Sequence, residues 1–122
     1  MLFLSLFTPA AAPSGPPSPE HMAEMGRLIE TMSKAGVLVA TGGIKSRKTG
    51  MKIARRQDRI AVEDGAVAGS SLMPAARYAL LRAGSREELV RHLQKFLQVA
   101  GEGTCEIIEV MEPASRESSA AA

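Results

Sequence analysis

The chain has 122 residues, a length that suits a single domain with one core. Hydrophobic residues make up 45% and aromatic residues only 3%, so the core is expected to consist of aliphatic side chains and methionine. The single cysteine, Cys105, excludes an internal disulfide and a cysteine-based zinc cluster, and it favours a reducing compartment. The net charge of +2 by itself indicates no class of partner.

The N-terminal segment, MLFLSLFTPAAAP, superficially resembles a secretory signal. No Lys or Arg precedes its apolar run, and the run from Leu2 to Phe7 is shorter than the core of a usual signal. We therefore interpret residues 2–8 as a buried β-strand. No stretch approaches the roughly 18 apolar residues of a membrane span, so the sequence predicts a cytoplasmic protein that does not enter a membrane.

The first half of the chain contains signals for one helix and three further strands. Ser18 and Pro19 are typical of a helix N-terminus, and Gly36 of the left-handed residue that ends a helix near Ala35. The β-branched segment 37–43 predicts a strand whose final glycines either end it or let another group approach the backbone closely. The segments MKIARR and RIAVED flank Gln57-Asp58 and predict a β-hairpin.

The second half repeats the alternation of strand, helix and strand. Residues 76–83 predict a strand, and Ser85 with Glu88 three positions later forms the pattern of a capping box. That pattern opens a helix predicted to end near Ala100, after which residues 105–112 predict the last strand. The terminal segment, residues 114–122, is a low-complexity tail that we expect to be disordered.

This order of elements predicts an α+β fold, a ferredoxin-like sandwich with an inserted β-hairpin, formed by residues 1–113. Two helices cover only one face of such a sheet, so part of its apolar surface is expected to stay uncovered. The apolar residues that two helices cannot all cover include Val37, Val39, Ile53, Leu80 and Ile107. An exposed face of that size usually marks an association surface, and we predict a homodimer that buries it.

Several segments resemble the YCII-related (DGPF-domain) family over about residues 1–113. The segment RIAVEDGAVAGSSLMPAARYALL is similar to that family's strand, signature turn, loop and strand, and EIIEVMEP resembles its last strand. Ser18-Pro19-Glu20 at the helix start and the glycine pair after Val37-Leu38 also match. The signature turn keeps Asp64 and Gly65, whereas the Pro and Phe that normally follow are Ala66 and Val67 here.

The resemblance implies a dimeric α+β barrel of ferredoxin-like protomers. In that family a histidine on the first helix and an aspartate have been proposed as an acid–base pair, and some relatives act on chlorinated ring compounds. By position the histidine matches His21, and Asp64 matches the acid of the signature turn. The resemblance thus implies His21 and Asp64 as catalytic residues. No external cofactor is implied.

His21 also stands out by its place on the first helix. At about 100° per residue, it falls within the apolar stripe and should face the sheet. That stripe consists of Met22, Met25, Leu28, Ile29 and Met32. A partly buried imidazole near a carboxylate is a usable general base, and the alternative is a core histidine bonded to a backbone carbonyl. Asp64 before Gly65 is likewise either a turn residue or the group that orients the imidazole.

Basic residues concentrate between Lys45 and Arg59, where seven of them accompany one acid. This run is either a solvated hairpin or a rim that attracts a small anionic ligand, in which case Arg47 or Arg55 contacts the anion. Nucleic acid is not favoured as a partner, because the run lacks interleaved aromatic residues. His21 and His92 lie on different helices without clustered carboxylates, so we predict no metal site.

Two functions remain open on these observations. The first is a dimeric enzyme that performs proton transfer, of the lyase or isomerase type, on a small anionic metabolite, with His21 as its base. The second is a non-catalytic dimer that binds a ligand or a partner, in which His21 is structural.

Overall fold

The computed structural model describes residues 1–11, 15–45, 50–64 and 76–112. The elements follow one another as β1 (Leu2–Pro9), α1 (Pro19–Lys34), β2 (Leu38–Gly43), β3 (Met51–Arg56), β4 (Arg59–Asp64), β5 (Arg77–Arg82), α2 (Arg86–Ala100) and β6 (Gly103–Val110). This order of elements agrees with the sequence prediction. The predicted tail and the predicted loop after β4, residues 66–74, lie outside the described residues.

Strands β1, β2, β5 and β6 form one antiparallel sheet in the order β2-β5-β1-β6. The first strand of the chain is therefore central, and each helix connects two strands that are not neighbours. Both helices pack on the same face of this sheet, which is the predicted ferredoxin-like arrangement. Neither helix combines the length and the apolar character that a membrane crossing needs, within the ranges that the structure describes.

The ends of α1 are fixed by the residues that predicted them. The Ser18 hydroxyl accepts a hydrogen bond from the backbone N–H of His21 at 3.1 Å, which satisfies one of the free donors of the first turn. At the other end, Gly36 has a φ of 76°, a conformation that costs a glycine little. The N–H groups of Gly36 and Val37 donate to the carbonyls of Ser33 and Met32, a Schellman motif that ends the helix.

The core lies between the two helices and the sheet. Leu81 of β5 lies at the centre of this core and is only 2% exposed. The buried cluster comprises Phe3, Met32, Leu81, Ala83, Leu89 and Leu93, and Leu28, Val37, Leu38, Ala79, Cys105 and Ile107 pack against it. The apolar stripe of α1 therefore faces the sheet as predicted, except at its start, where Met22 is 60% exposed.

Strand β6 begins two residues earlier than the sequence predicts. The segment GEGT was expected only to break the preceding helix, but Gly103 already pairs with Pro9 and Thr104 with Thr8. The reason lies in β1, which extends to Pro9 and offers pairing partners to these residues. Position 103 has room for glycine but not for a larger residue, because a Cβ atom there would lie 2.5 Å from the ring of Phe7.

The sheet face away from the helices, called the open face below, carries a row of apolar side chains across all four strands. Side chains of directly opposed residues share a face, so Ala40, Leu80, Leu4 and Ile108 form this row. Ile108 is 59% exposed. An open face is present, but three residues expected on it lie elsewhere. Val37 and Ile107 pack against the helix-covered core, and Ile53 belongs to the separate hairpin of β3 and β4.

The hairpin of β3 and β4 forms its own two-stranded sheet with the predicted two-residue connection. Gln57 makes the reversal with a φ of 56°. Because successive side chains alternate between faces, the large apolar side chains of the hairpin share one side, here called its apolar side. That side carries Met51, Ile53, Ile60 and Val62, each more than half exposed, and also the charged residues Arg55 and Asp64 toward its two ends.

Candidate functional site

A groove opens between the start of α1, the end of α2 and one end of the sheet. Its volume is about 450 Å³, which lies within the range of small-molecule sites. The side chains that give it its character are those of Phe7, His21, Met25, Ile29, Arg77 and Phe96. Four of these six are apolar, and the remaining two are basic.

His21 is the third residue of α1, where its backbone is held by the Ser18 cap. Its side chain is half-buried and borders the groove, which agrees with its position within the apolar stripe. The cap fixes the backbone from which the imidazole projects, while the groove leaves one side of the ring accessible to a ligand. An imidazole held in this way is able to accept or donate a proton at a bound molecule.

Arg77 was not identified from the sequence as a site residue. It is the first residue of β5 and lies opposite Phe7 of β1 and Gly43 of β2. Alternation along β5 places it on the same face as Ala79 and Leu81, which is the face that the helices cover. The local sequence pattern gave no signal for it, because pairing with β1 decides which face of β5 carries Arg77.

Two aromatic rings form the apolar floor of the groove. The rings of Phe7 and Phe96 meet edge to face, with centroids 5.3 Å apart and an interplanar angle of 86°. Behind the groove, a partly enclosed apolar cavity of about 30 Å³ lies between α1 and the sheet, and Arg77 borders both spaces. That cavity has room for about one or two water molecules, so it is too small for an organic ligand.

Asp64, the predicted partner of His21, is the last residue of β4 and is exposed. It lies opposite Met51 in the hairpin and is not among the described residues that line the groove. The pairing of Asp64 with His21 therefore stays a prediction.

The two arginines predicted to contact an anion belong to the hairpin region. Arg55 is exposed, and its Nε donates a hydrogen bond of 2.7 Å to the carbonyl of Gln57, so it helps to shape the hairpin turn. Arg47 lies outside the described residues. Neither residue is among those described as lining the groove, where Arg77 supplies the positive charge.

Neither His92 nor Cys105 is among the described residues that line the groove. His92 Nε2 is buried and lies 3.6 Å from a carboxylate oxygen of Glu88, one turn earlier on α2, but it forms no hydrogen bond with any described residue. Burial raises the pKa of the Cys105 thiol, and a hydrogen bond with Ser5 opposes that effect only in part. A thiol of raised pKa is a poor nucleophile, in agreement with the interpretation of Cys105 as a small buried hydrophobic residue. No three His, Cys, Asp or Glu side chains gather as metal ligands in the described ranges.

Comparisons with known proteins return a structural likeness alone. No family model and no curated protein matches the chain. The structure is similar to that of CutA from Synechococcus elongatus, with a TM-score of 0.37 and 16% sequence identity over 90% of this chain and 77% of that one.

Proposed function

We propose that the protein forms a homodimer and performs acid–base chemistry, of the lyase or isomerase type, on a small anionic metabolite held in the groove. His21 is the general base, and no external cofactor takes part. The observation that carries this proposal is the half-buried imidazole at the edge of an apolar groove of ligand size. The expected resemblance to the YCII-related family, with its histidine on the first helix, points to the same residue.

The chemistry follows from the surroundings of the imidazole. Apolar side chains such as Met25 and Ile29 exclude water from one side of a bound molecule, which strengthens electrostatic interactions in the groove. His21 lies on a helix, so its ring is positioned by a rigid element and not by a loop. The acid–base role rests on His21 alone, and Asp64 stays its predicted partner.

The homodimer of the proposal is supported by the open face. Its apolar row is flanked by Arg82 on β5 and Glu106 on β6, two residues of opposite charge. In an isologous dimer both chains present the same surface to each other. Arg82 of one chain is therefore able to meet Glu106 of the other across the interface. A second copy of the chain therefore offers an apolar surface that covers the row, and its Glu106 is a further acid for Arg82, which pairs with Glu112 within its own chain.

A non-catalytic dimer that binds a ligand or a partner is the alternative function. It is favoured by one observation, the absence of any Asp or Glu from the described residues that line the groove beside His21. Without a carboxylate to orient the ring, an imidazole is equally suited to hydrogen-bond a ligand that it does not transform.

Proton abstraction can be measured directly as hydrogen–deuterium exchange. Small 2-oxo acids and ring carboxylates are incubated with the protein in D₂O, and proton NMR follows the loss of C–H signals. We expect His21→Asn to slow exchange at least about 100-fold, because a positioned base contributes roughly 10²–10⁴ in rate. His92→Asn, which changes the other histidine, is expected to exchange at the wild-type rate.

Two results would count against the enzyme. If His21→Asn exchanges as fast as wild type, His21 is not the base. If His21→Asn instead loses about 2 kcal/mol or more of stability while wild type catalyses no exchange, the histidine is structural and the non-catalytic alternative gains. Urea unfolding of both variants separates these cases.

A further inference from the structure

Arg77 carries a charge on the side of the sheet that forms the core. It is flanked there by Phe7 on the neighbouring strand and lies two residues before Ala79 on the same face. An arginine keeps its proton under all ordinary conditions, so it cannot adapt to burial by becoming neutral. A half-buried guanidinium at such a position needs a partner or a function.

The described residues do not provide that partner. The Nε atom of Arg77 is buried and forms no hydrogen bond with any described residue. None of the salt bridges among the described residues includes Arg77, and none of the described groove-lining residues is acidic. A buried donor without an acceptor costs about 1–3 kcal/mol, and more when it belongs to a charged group.

The space in front of Arg77 indicates what its missing partner is. Of the described residues that line the groove with it, only His21 is polar enough to bind a ligand through a charged or hydrogen-bonding side chain. The edge-to-face pair of Phe7 and Phe96 offers a surface for an apolar body, ring or chain. The groove therefore combines one cation with an apolar floor, and a ligand that satisfies both carries one anionic end on an apolar body.

We propose that Arg77 is the anion-binding residue of the groove and that its ligand is an apolar organic monocarboxylate. The guanidinium forms a fork of donors whose geometry matches a carboxylate, and a side-on pair engages Nε as well as a terminal nitrogen. Nε is covered by protein atoms in the structure, so the guanidinium turns toward the groove to form this pair, which then supplies the acceptor that Nε lacks. The carboxylate at Arg77 then places the apolar body of the ligand beside His21.

This inference rests on the proposed function in one respect, that the groove is a ligand site. It goes beyond it by naming the anion contact and the class of ligand. It also moves the anion contact from Arg47 and Arg55 of the hairpin region to a residue within the groove.

Benzoate is a suitable probe because it combines a carboxylate with a small apolar ring. It is titrated into the full chain while the Nε–H signal of Arg77 is followed by ¹H–¹⁵N NMR, with Arg77→Met serving to assign the signal. We expect that signal to shift and saturate. Benzyl alcohol, which keeps the ring without the charge, is expected to bind at least about tenfold more weakly. Inorganic phosphate, an anion without an apolar body, is also expected to bind more weakly than benzoate.

Two arginine variants test the residue itself. Arg77→Met is expected to weaken benzoate binding at least about tenfold. Arg27→Met is the control, since Arg27 is exposed on α1 and is not among the described residues that line the groove. Its affinity for benzoate is expected to equal that of wild type. The wild-type NMR titration does not depend on whether Arg77→Met folds.

Three results would overturn the inference. These are an Nε–H signal that stays fixed at saturating benzoate, equal binding of benzoate and benzyl alcohol, and equal effects of the two arginine variants. Failure of the proposed function looks different. In that case benzoate binds at Arg77 in wild type and in His21→Asn, while neither protein catalyses exchange.

Discussion

Gly42 allows a close contact between β2 and β5 because it has no Cβ atom. It lies opposite Tyr78, and a Cβ atom there would lie 2.9 Å from ring atom Cε1 of that tyrosine. The ring therefore packs directly on the backbone of β2. This is the close approach that the glycine pair at the end of that strand allows, one of the two alternatives open from the sequence.

Gly42→Ala is expected to push the ring of Tyr78 off the strand and to destabilise the fold by about 1 kcal/mol relative to Gly43→Ala. Gly43 is the matched control, because a Cβ atom there would have its nearest contact at 4.0 Å, from the carbonyl of Ala76. Gly43→Ala is expected to be neutral or slightly stabilising, since glycine in a strand costs roughly 0.5–1 kcal/mol.

Urea unfolding gives these stabilities, and Tyr78, the only tyrosine in a chain without tryptophan, reports the displacement through its fluorescence. Equal stability and equal fluorescence of the two variants would contradict the role assigned to Gly42.

Individual residues also show where the sequence was ambiguous. Ile107 and Ile108 are adjacent and equally apolar, so the alternation of β6 does not reveal which one faces the helices. The register with β1 decides it, because Ile107 lies opposite the buried Ser5 and Ile108 opposite Leu4. The same ambiguity about which side of a strand faces the helices applies to Arg77 in the candidate site. Its inward position follows from pairing with β1, a non-local contact that no local pattern contains.

At the scale of elements, the helices were predicted best because their ends are encoded locally. The capping box of α2 nevertheless differs in one contact. Ser85 Oγ accepts from the N–H of Glu88 at 3.1 Å as expected, but the Glu88 carboxylate accepts from Gly84, one residue before the cap. The same carboxylate also faces His92. Glu88 therefore contacts the residue before the N-cap, the N-cap itself and the second turn of α2.

Titration of Glu88 should make the stability of the fold depend on pH. The hydrogen bond from Gly84 is the main cause that lowers the pKa of Glu88, the interaction with His92 adds to it, and desolvation opposes both. A carboxyl whose pKa is lower in the folded state stabilises the fold above its unfolded pKa, near 4.3, and this contribution disappears as pH falls through the folded value.

Glu88→Gln is therefore expected to have a lower Tm than wild type at pH 7, and the difference is expected to shrink as the pH is lowered through 4. Glu87→Gln, in the same first turn but without these partners, is the control and should show a smaller change at pH 7. Thermal unfolding followed by circular dichroism across this pH range measures these differences in Tm. A Tm difference for Glu88→Gln that stays constant down to pH 3.5 would contradict the assignment.

At the scale of the whole molecule, the fold class followed from the order of elements, because two split β–α–β units leave few ways to form one sheet. The groove did not follow, since it forms where α1, α2, β1 and β5 meet and its residues come from distant parts of the chain. His21 was found because its helical position is a local property. The hairpin was predicted as an element, but the pattern does not encode what its apolar side contacts.

The open face leads to the prediction about assembly. Ile108 belongs to the apolar row at the centre of that face and is 59% exposed, so a dimer that buries the row desolvates this side chain. Ile108→Glu places a charge there and is expected to convert the dimer to a monomer, measured by light scattering at micromolar concentration. Val90→Glu is the matched control, because Val90 is 52% exposed on α2, away from the sheet, and this variant should stay dimeric. A monomeric wild type, or dissociation of both variants alike, would show that the open face is not the interface.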